Sequence, residues 1–195
     1  RTGTGTTGDF VLPILHKRAR TQGQDGPRDP HGQRALVLAP TRELAIQIGE
    51  EFRAYGKYLH LRHTVIFGGI NQKRQVDALD RGVDIVVATP GRLLDLMNQG
   101  RLGLKAVEIL VLDEADRMLD MGFVRDVRKI IAALPRKRQS LLFSATMPGE
   151  ISRLSGDFLS NPIRVEVTPQ ATPIKRIEQS IYHIPAADKA ALLAD

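Results

Sequence analysis

The stretch VEILVLDEADRMLDMGF, Val107 to Phe123, decides the fold of this chain. Its unbroken apolar run, Ile109-Leu110-Val111-Leu112, stops at Asp113, Glu114 and Asp116. A short continuous apolar run of this kind predicts a strand buried on both faces, as in a parallel sheet. The carboxylates then emerge at the C-terminal end of the strand, where open α/β sheets bind their ligands. Acidic residues after a strand can also cap the next helix. Three of them packed around Ala115 suit nucleotide hydrolysis better. One carboxylate holds Mg²⁺, usually through water because that ion dehydrates reluctantly, and the next polarises the attacking water.

Outward from this strand the same pattern repeats. Ala35 to Ala39 predicts a buried strand, followed at Pro40-Thr41-Arg42-Glu43 by an amphipathic helix with Leu44, Ile48, Phe52 and Tyr55 on its inner stripe. Thr64 to Phe67 predicts a second strand closed by Gly68-Gly69, and a polar helix over 71–80 leads to a third strand, Ile85 to Ala88. That strand delivers Thr89-Pro90-Gly91-Arg92 and a helix over 93–98. Beyond the acidic strand, Val127, Ile130, Ile131 and Leu134 at helical spacing predict a helix stopped by Pro135. Ser140 to Phe143 is a fifth strand ending in Ser144-Ala145-Thr146, and a helix over 149–159 precedes a last strand over 163–167. Such regular alternation predicts an α/β fold with a parallel, doubly wound sheet flanked by helices.

The N-terminal RTGTGTT reads as a Gly/Thr loop running into a helix, Phe10 to Leu15, bent at Pro13. A glycine loop opening a helix is a phosphate cradle, because free backbone N–H groups and the helix dipole both face the anion. Residues 17–34 are rich in Gly, Pro, Asp, Arg and Gln and read as a mobile surface loop. From residue 168 the string TPQATPIKR reads as a linker, and the alternation over 177–184 begins a new strand with nothing left to pair with.

Composition narrows the function classes. The 195 residues suffice for one domain and an appendage, and 42% apolar content for a core. No cysteine is present, which excludes disulfides and thiolate metal sites and fits a reducing, cytoplasmic location. No apolar run reaches membrane-spanning length, and no signal peptide is evident. The start at Arg1 suggests that the true N-terminus lies upstream. A net charge of +6 favours a polyanionic partner. Aromatics at 5%, with no Trp, argue against base stacking as the main binding device.

Taken together, the strand-end signatures resemble the N-terminal RecA-like domain of DEAD-box ATP-dependent RNA helicases, a P-loop NTPase fold. They are TGTG at Thr2 to Gly5, PTRELA at Pro40 to Ala45, GG at Gly68-Gly69, TPGR at Thr89 to Arg92, DEAD at Asp113 to Asp116 and SAT at Ser144 to Thr146. The strings VDIVVATPGRLLDL and LDEADRMLDMGF look bacterial in type. The resemblance covers residues 1–167, leaving 168–195 as linker and the start of a second RecA-like domain. It implies that Thr2, Gly3, Thr4, Gly5, Thr6 and Thr7 surround the ATP phosphates, with the Thr7 hydroxyl on Mg²⁺. Asp113 would hold the metal through water, and Glu114 would be the general base. Asp116 would bond the Ser144/Thr146 loop and link nucleotide state to strand separation. Pro40, Thr41, Arg42, Gly68, Gly69, Thr89, Pro90, Gly91 and Arg92 would contact the sugar-phosphate backbone of one RNA strand. Small hydroxyls, a glycine pair and two arginines suit phosphates rather than base edges. Structural alternatives stand beside these roles: Ser144 and Thr146 as helix caps, and Arg42 and Arg92 paired with Glu43 and Asp95.

One departure stands out. The family's phosphate loop reads GxGKT, and Thr6 occupies the lysine position. Loss of a charge-assisted contact of about 1.5–3 kcal/mol predicts ATP affinity lower by roughly tenfold to a hundredfold. Thr6 marks either a naturally impaired nucleotide site or an altered lysine-bearing one. Asp9 adds an acid in the first helical turn beside that site. The family's adenine-reading segment and arginine fingers are expected outside residues 1–195, so this chain alone should be inactive or very weak. A further alternative is an RNA clamp without ATP turnover.

Overall fold

Apolar runs with no polar interruption form the centre of the molecule. The computed structural model describes residues 4–21 and 32–166. Five strands pair in parallel, β1 (Ala35–Leu38), β2 (His63–Ile66), β3 (Ile85–Ala88), β4 (Ile109–Leu112) and β5 (Gln139–Leu142), in the order β2-β3-β1-β4-β5. Every residue of β1, β3 and β4 is buried. Side chains alternate across the sheet, so each strand feeds two cores. Ala35, Val37, Ile85, Val87, Ile109 and Val111 pack with α1 (Thr4–Thr21) and α2 (Arg42–Tyr55). Leu36, Leu38, Val86, Leu110 and Leu112 pack with α3 (Lys73–Asp80), α4 (Pro90–Asn98), α5 (Ala115–Asp120), α6 (Val124–Ala132) and α7 (Gly149–Phe158). The result is three layers, helices on both faces of a parallel sheet.

Several expectations change. Residues from Thr4 are helical rather than loop, because Phe10, Val11, Ile14 and Leu15 anchor α1 in the core and the helix propagates back through the Gly/Thr run. It also runs on through Pro13 to Thr21, and residues 17–21, expected in a surface loop, belong to it. Arg18 there is buried, 3.6 Å from Glu108 Oε2, with Nη1 donating to Thr21 Oγ1 at 2.8 Å. The rest of that expected loop, apart from 32–34, lies outside the described residues. Tyr55 is half-exposed rather than on the inner stripe, since it closes the last turn of α2. The expected strand over 163–167 is absent within the described 162–166, where Ile163 and Val165 are exposed. The chain divides after Asn161, and these residues belong to the second unit.

Close packing between α2 and β2 gives a first prediction. A Cβ at Gly49 would lie 2.4 Å from Val65 Cγ2, far inside contact distance. Gly49→Ala is therefore expected to destabilise the fold by about 1–3 kcal/mol, the usual cost of overpacking, and urea unfolding measures it. An unchanged midpoint would show that α2 can lift from the sheet freely.

Candidate nucleotide and nucleic-acid site

All five parallel strands open at the same edge, and their order sorts the polar residues into two groups. β4 and β5 deliver carboxylates and hydroxyls, whereas β2, β3 and β1 deliver glycines, threonines and arginines.

On the acidic side, β4 passes directly into Asp113, whose N–H donates to Leu38 O at 3.0 Å across the sheet. Asp113 is 5% exposed, and its Oδ1 accepts from Glu114 N at 3.0 Å. Burial, then the charge of Glu114, pushes its carboxyl up to about 6. Glu114 itself has φ 50° and ψ 52°, a left-handed conformation that costs a non-glycine residue about 1–2 kcal/mol. That single residue turns the chain from β4 into α5, leaving Asp113 buried while the Glu114 carboxylate stands at the rim beside Arg117 Nη1, 3.3 Å away.

One turn further, Asp116 ties α5 to the loop after β5. Its Oδ2 accepts from Thr146 N at 2.9 Å and Thr146 Oγ1 at 2.8 Å, while its own N–H donates to Ser144 Oγ at 3.1 Å. Ser144 Oγ donates in turn to Thr146 O at 2.7 Å. Burial raises the Asp116 carboxyl, but the hydrogen bonds from Thr146, Arg117 and Ser144 more than offset it and hold the group below its ordinary value. Ser144 and Thr146 are thus joined to Asp116 rather than capping α7, whose N-cap is Pro148.

The two carboxylates respond to pH with opposite signs. The raised Asp113 value means stability is fully present below the unfolded value of 3.8 and lost as pH rises through about 6. Asp113→Asn is accordingly expected to stabilise the metal-free chain at pH 8 by up to about 3 kcal/mol, at 1.36 kcal/mol per unit. Thermal melts from pH 4 to 8 test it, and equal melts for both proteins at pH 8 would contradict it. Asp116, being depressed, contributes stability above its unfolded value that is lost as pH falls through the folded one.

Thr7 is buried in the first turns of α1, and Asp9 is exposed. Thr2 and Gly3, and the side chains of Thr4 and Thr6, lie outside the described residues. No group of three or more acidic, His or Cys side chains able to hold a metal occurs among the described residues. The donor set still fits Mg²⁺, which takes one or two carboxylates together with substrate phosphates and water. A desolvated Asp113 beside a second carboxylate is the charge arrangement that such a cation relieves.

On the basic side, Pro40 is buried, and Thr41 caps α2 with Oγ1 accepting from Leu44 N at 3.3 Å. Arg42 is exposed, its guanidinium 4.9 Å above the centre of the Phe67 ring. Gly68 and Gly69 are exposed after β2, and Gly69 has φ +80°, which favours glycine. Thr89 is the buried N-cap of α4, Pro90 its first residue and Gly91 exposed, with room for a Cβ 4.0 Å from Phe123 Cε1. Arg92 donates from Nη1 and Nη2 to Ile70 O at 3.3 and 3.2 Å, and its Nε lies 3.7 Å from Asp95 Oδ2. Arg92 thus combines the structural pairing foreseen with Asp95 and a bond to the glycine loop.

Three residues of this edge carry no signature of their own: Arg117, Phe67 and Gln75. Gln75 is 5% exposed and donates from Nε2 to Phe67 O at 3.0 Å. Its spacing of four from the buried Leu79 was the available signal. Arg117, three residues after Glu114, is at helical contact spacing.

A three-layer parallel sheet with a buried acid, a rim acid and a hydroxyl loop at its C-terminal edge defines a RecA-like domain. The chain belongs to the DEAD/DEAH box helicase family, whose model matches residues 1–154. It is 49% identical to the "Probable ATP-dependent RNA helicase ddx17" of Dictyostelium discoideum over 86% of this chain and 21% of that protein. It is 43% identical to the "ATP-dependent RNA helicase RhlB" of Pseudomonas putida over 99% of this chain and 49% of that one. Among solved structures it resembles the hypothetical ATP-dependent RNA helicase from Sulfolobus tokodaii, with a TM-score of 0.72 and 39% identity over 83% of this chain and 44% of that one. The chain therefore spans half or less of the length of these relatives.

Proposed function

We propose that this chain is the ATP- and RNA-binding first RecA-like domain, residues 1–167, of an ATP-dependent RNA helicase. Residues 168–195 would lead into a second RecA-like domain, and the whole protein would couple ATP hydrolysis to separation of short RNA duplexes. The observation that carries the reading is the division of one sheet edge between an acidic half on β4 and β5 and a basic, glycine-rich half on β2, β3 and β1.

In this reading the phosphates of ATP lie against the first turn of α1, where backbone N–H groups and the helix dipole favour anions. Asp113 and Thr7 would hold Mg²⁺, which neutralises charge on the phosphate oxygens. Glu114 takes the proton of a water whose oxygen attacks the γ-phosphorus, the bridging P–O bond breaks, and ADP and phosphate result. Arg117 holds the Glu114 carboxylate at the rim, and Asp113 keeps its buried place at the end of β4. Asp116 passes a change at the phosphate site to Ser144 and Thr146, because its carboxylate accepts from Thr146 and its N–H donates to Ser144. RNA is held on the other half by Arg42, Arg92 and the backbone N–H groups of Gly68 and Gly69, through phosphates and without a sequence code. A cytoplasmic location accompanies the reading, supported by the cysteine-free composition. Among the described residues no helix is long and apolar enough to cross a membrane.

Single-stranded RNA binding tests it. Arg92→Gln should lower affinity by a similar factor for all sequences and reduce the salt slope by about 0.7, the value for one phosphate contact. An unchanged slope would remove Arg92 from the RNA surface.

A further inference from the structure

We propose that Phe67 is a positioning residue that seats the Arg42 guanidinium for phosphate binding. The inference rests on the RNA-binding reading above and adds a residue to it. Three observations carry it. First, the Arg42 guanidinium lies 4.9 Å above the centre of the Phe67 ring, within the range of cation–π attraction. Arg42 is exposed at the start of α2, where a long side chain with no seat would sample many rotamers and spend that freedom on each phosphate it bound. Second, Phe67 is anchored through its backbone. It is half-buried and follows β2 directly, and its carbonyl is held at 3.0 Å by the buried amide of Gln75. Third, the residues after Phe67 are the exposed Gly68 and Gly69, and Arg92 bonds the Ile70 carbonyl just beyond them. Phe67 therefore joins the arginine of the β1 edge to the glycine loop of the β2 edge, across the intervening β3.

The chemistry fits a phosphodiester ligand. A guanidinium held over an aromatic ring by cation–π attraction keeps its charge and its N–H donors, which can grip phosphate oxygens in pairs. An aromatic ring used in this way lies beneath an arginine rather than beneath a base, which agrees with a surface that reads backbone and not sequence.

The test is fluorescence anisotropy of a labelled, unstructured uridine oligonucleotide binding to this chain over a salt series. Phe67→Leu is expected to weaken binding by about two- to fivefold, the range of an exposed cation–π contact. Phe67→Tyr, which keeps the ring, should bind like the parent. Combined with Arg42→Gln, the Leu substitution should add almost nothing, because its effect passes through the arginine. If Phe67→Leu lowers the melting temperature, Phe67→Met, of similar length but without a ring, replaces it in the same cycle. Independent, additive losses, or a loss equally large in Phe67→Tyr, would overturn the proposal. If Arg42→Gln alone leaves both affinity and salt slope unchanged, the assignment of Arg42 to RNA fails, and this proposal fails with it.

Discussion

Glu114→Gln is expected to lower ATP turnover by about 10²–10⁴-fold, the usual contribution of a general base, while leaving ATP affinity within twofold. The amide keeps the length and shape of the side chain and pays the same cost in the left-handed conformation, so the turn from β4 into α5 is preserved. What it loses is the ability to accept a proton from water as the γ-phosphorus is attacked. The buried Asp113 next to it cannot substitute, because its carboxyl faces back to Glu114 N and is held in the sheet edge. The measurement is steady-state phosphate release from a longer version of the protein carrying the second domain and Thr6→Lys, with nucleotide binding followed separately. Unchanged turnover would assign the base elsewhere. Turnover and affinity lost together would make Glu114 a binding residue.

Thr6→Lys is expected to raise affinity for Mg·ATP by about tenfold to a hundredfold, corresponding to 1.5–3 kcal/mol for one charge-assisted contact to the β- and γ-phosphates. The phosphate oxygens then meet an ammonium group in addition to the backbone N–H groups of α1. In the phosphate-loop reading the same lysine would stand near Asp113, whose carboxyl is pushed up to about 6 by burial and then by the charge of Glu114. Two effects would thus reinforce each other, tighter nucleotide and a more fully ionised Asp113 at neutral pH. Calorimetry of the chain as it stands against Thr6→Lys measures the first. Equal affinities would mean that Thr6 is tolerated and that the reading of an impaired phosphate loop is mistaken.

The central strands were legible because burial on both faces leaves a run with no polar residue. β3 and β4 occupy the residues that Ile85 to Ala88 and Ile109 to Leu112 define. β2 and β5, outermost in the described sheet, begin one residue earlier than expected, at His63 and Gln139, because an outer strand tolerates polar ends. Periodicity also misled at Ile163 and Val165, where alternation shows which residues would share a face but not whether another strand is there to receive them. The Gly/Thr run, expected as a loop opening the helix, is helical from Thr4 onward, where tertiary burial of Phe10, Val11 and Ile14 prevails over the low helix propensity of Gly and Thr. α5 escaped notice because six residues are too few for a period to emerge. Of the candidate site, the polar residues at strand ends could be read as groups, since strand ends bring distant signatures to one edge. Their partners could not: nothing in the sequence tells that Phe67 lies under Arg42, or that Gln75 turns inward to the carbonyl before the glycines.

The most direct test of a nucleotide site at the end of β4 is to bind ATP with Mn²⁺ in place of Mg²⁺ and follow the backbone amide signals. The paramagnetic ion broadens nuclei near it, whatever the turnover of the chain. The account predicts that Leu112 to Ala115 and Thr7 broaden first, Ser144 to Thr146 next, and Gly68 and Gly69 least of the sheet's C-terminal edge. Broadening centred on the opposite edge, at Arg34 and Glu108, or none at saturating nucleotide, would contradict it.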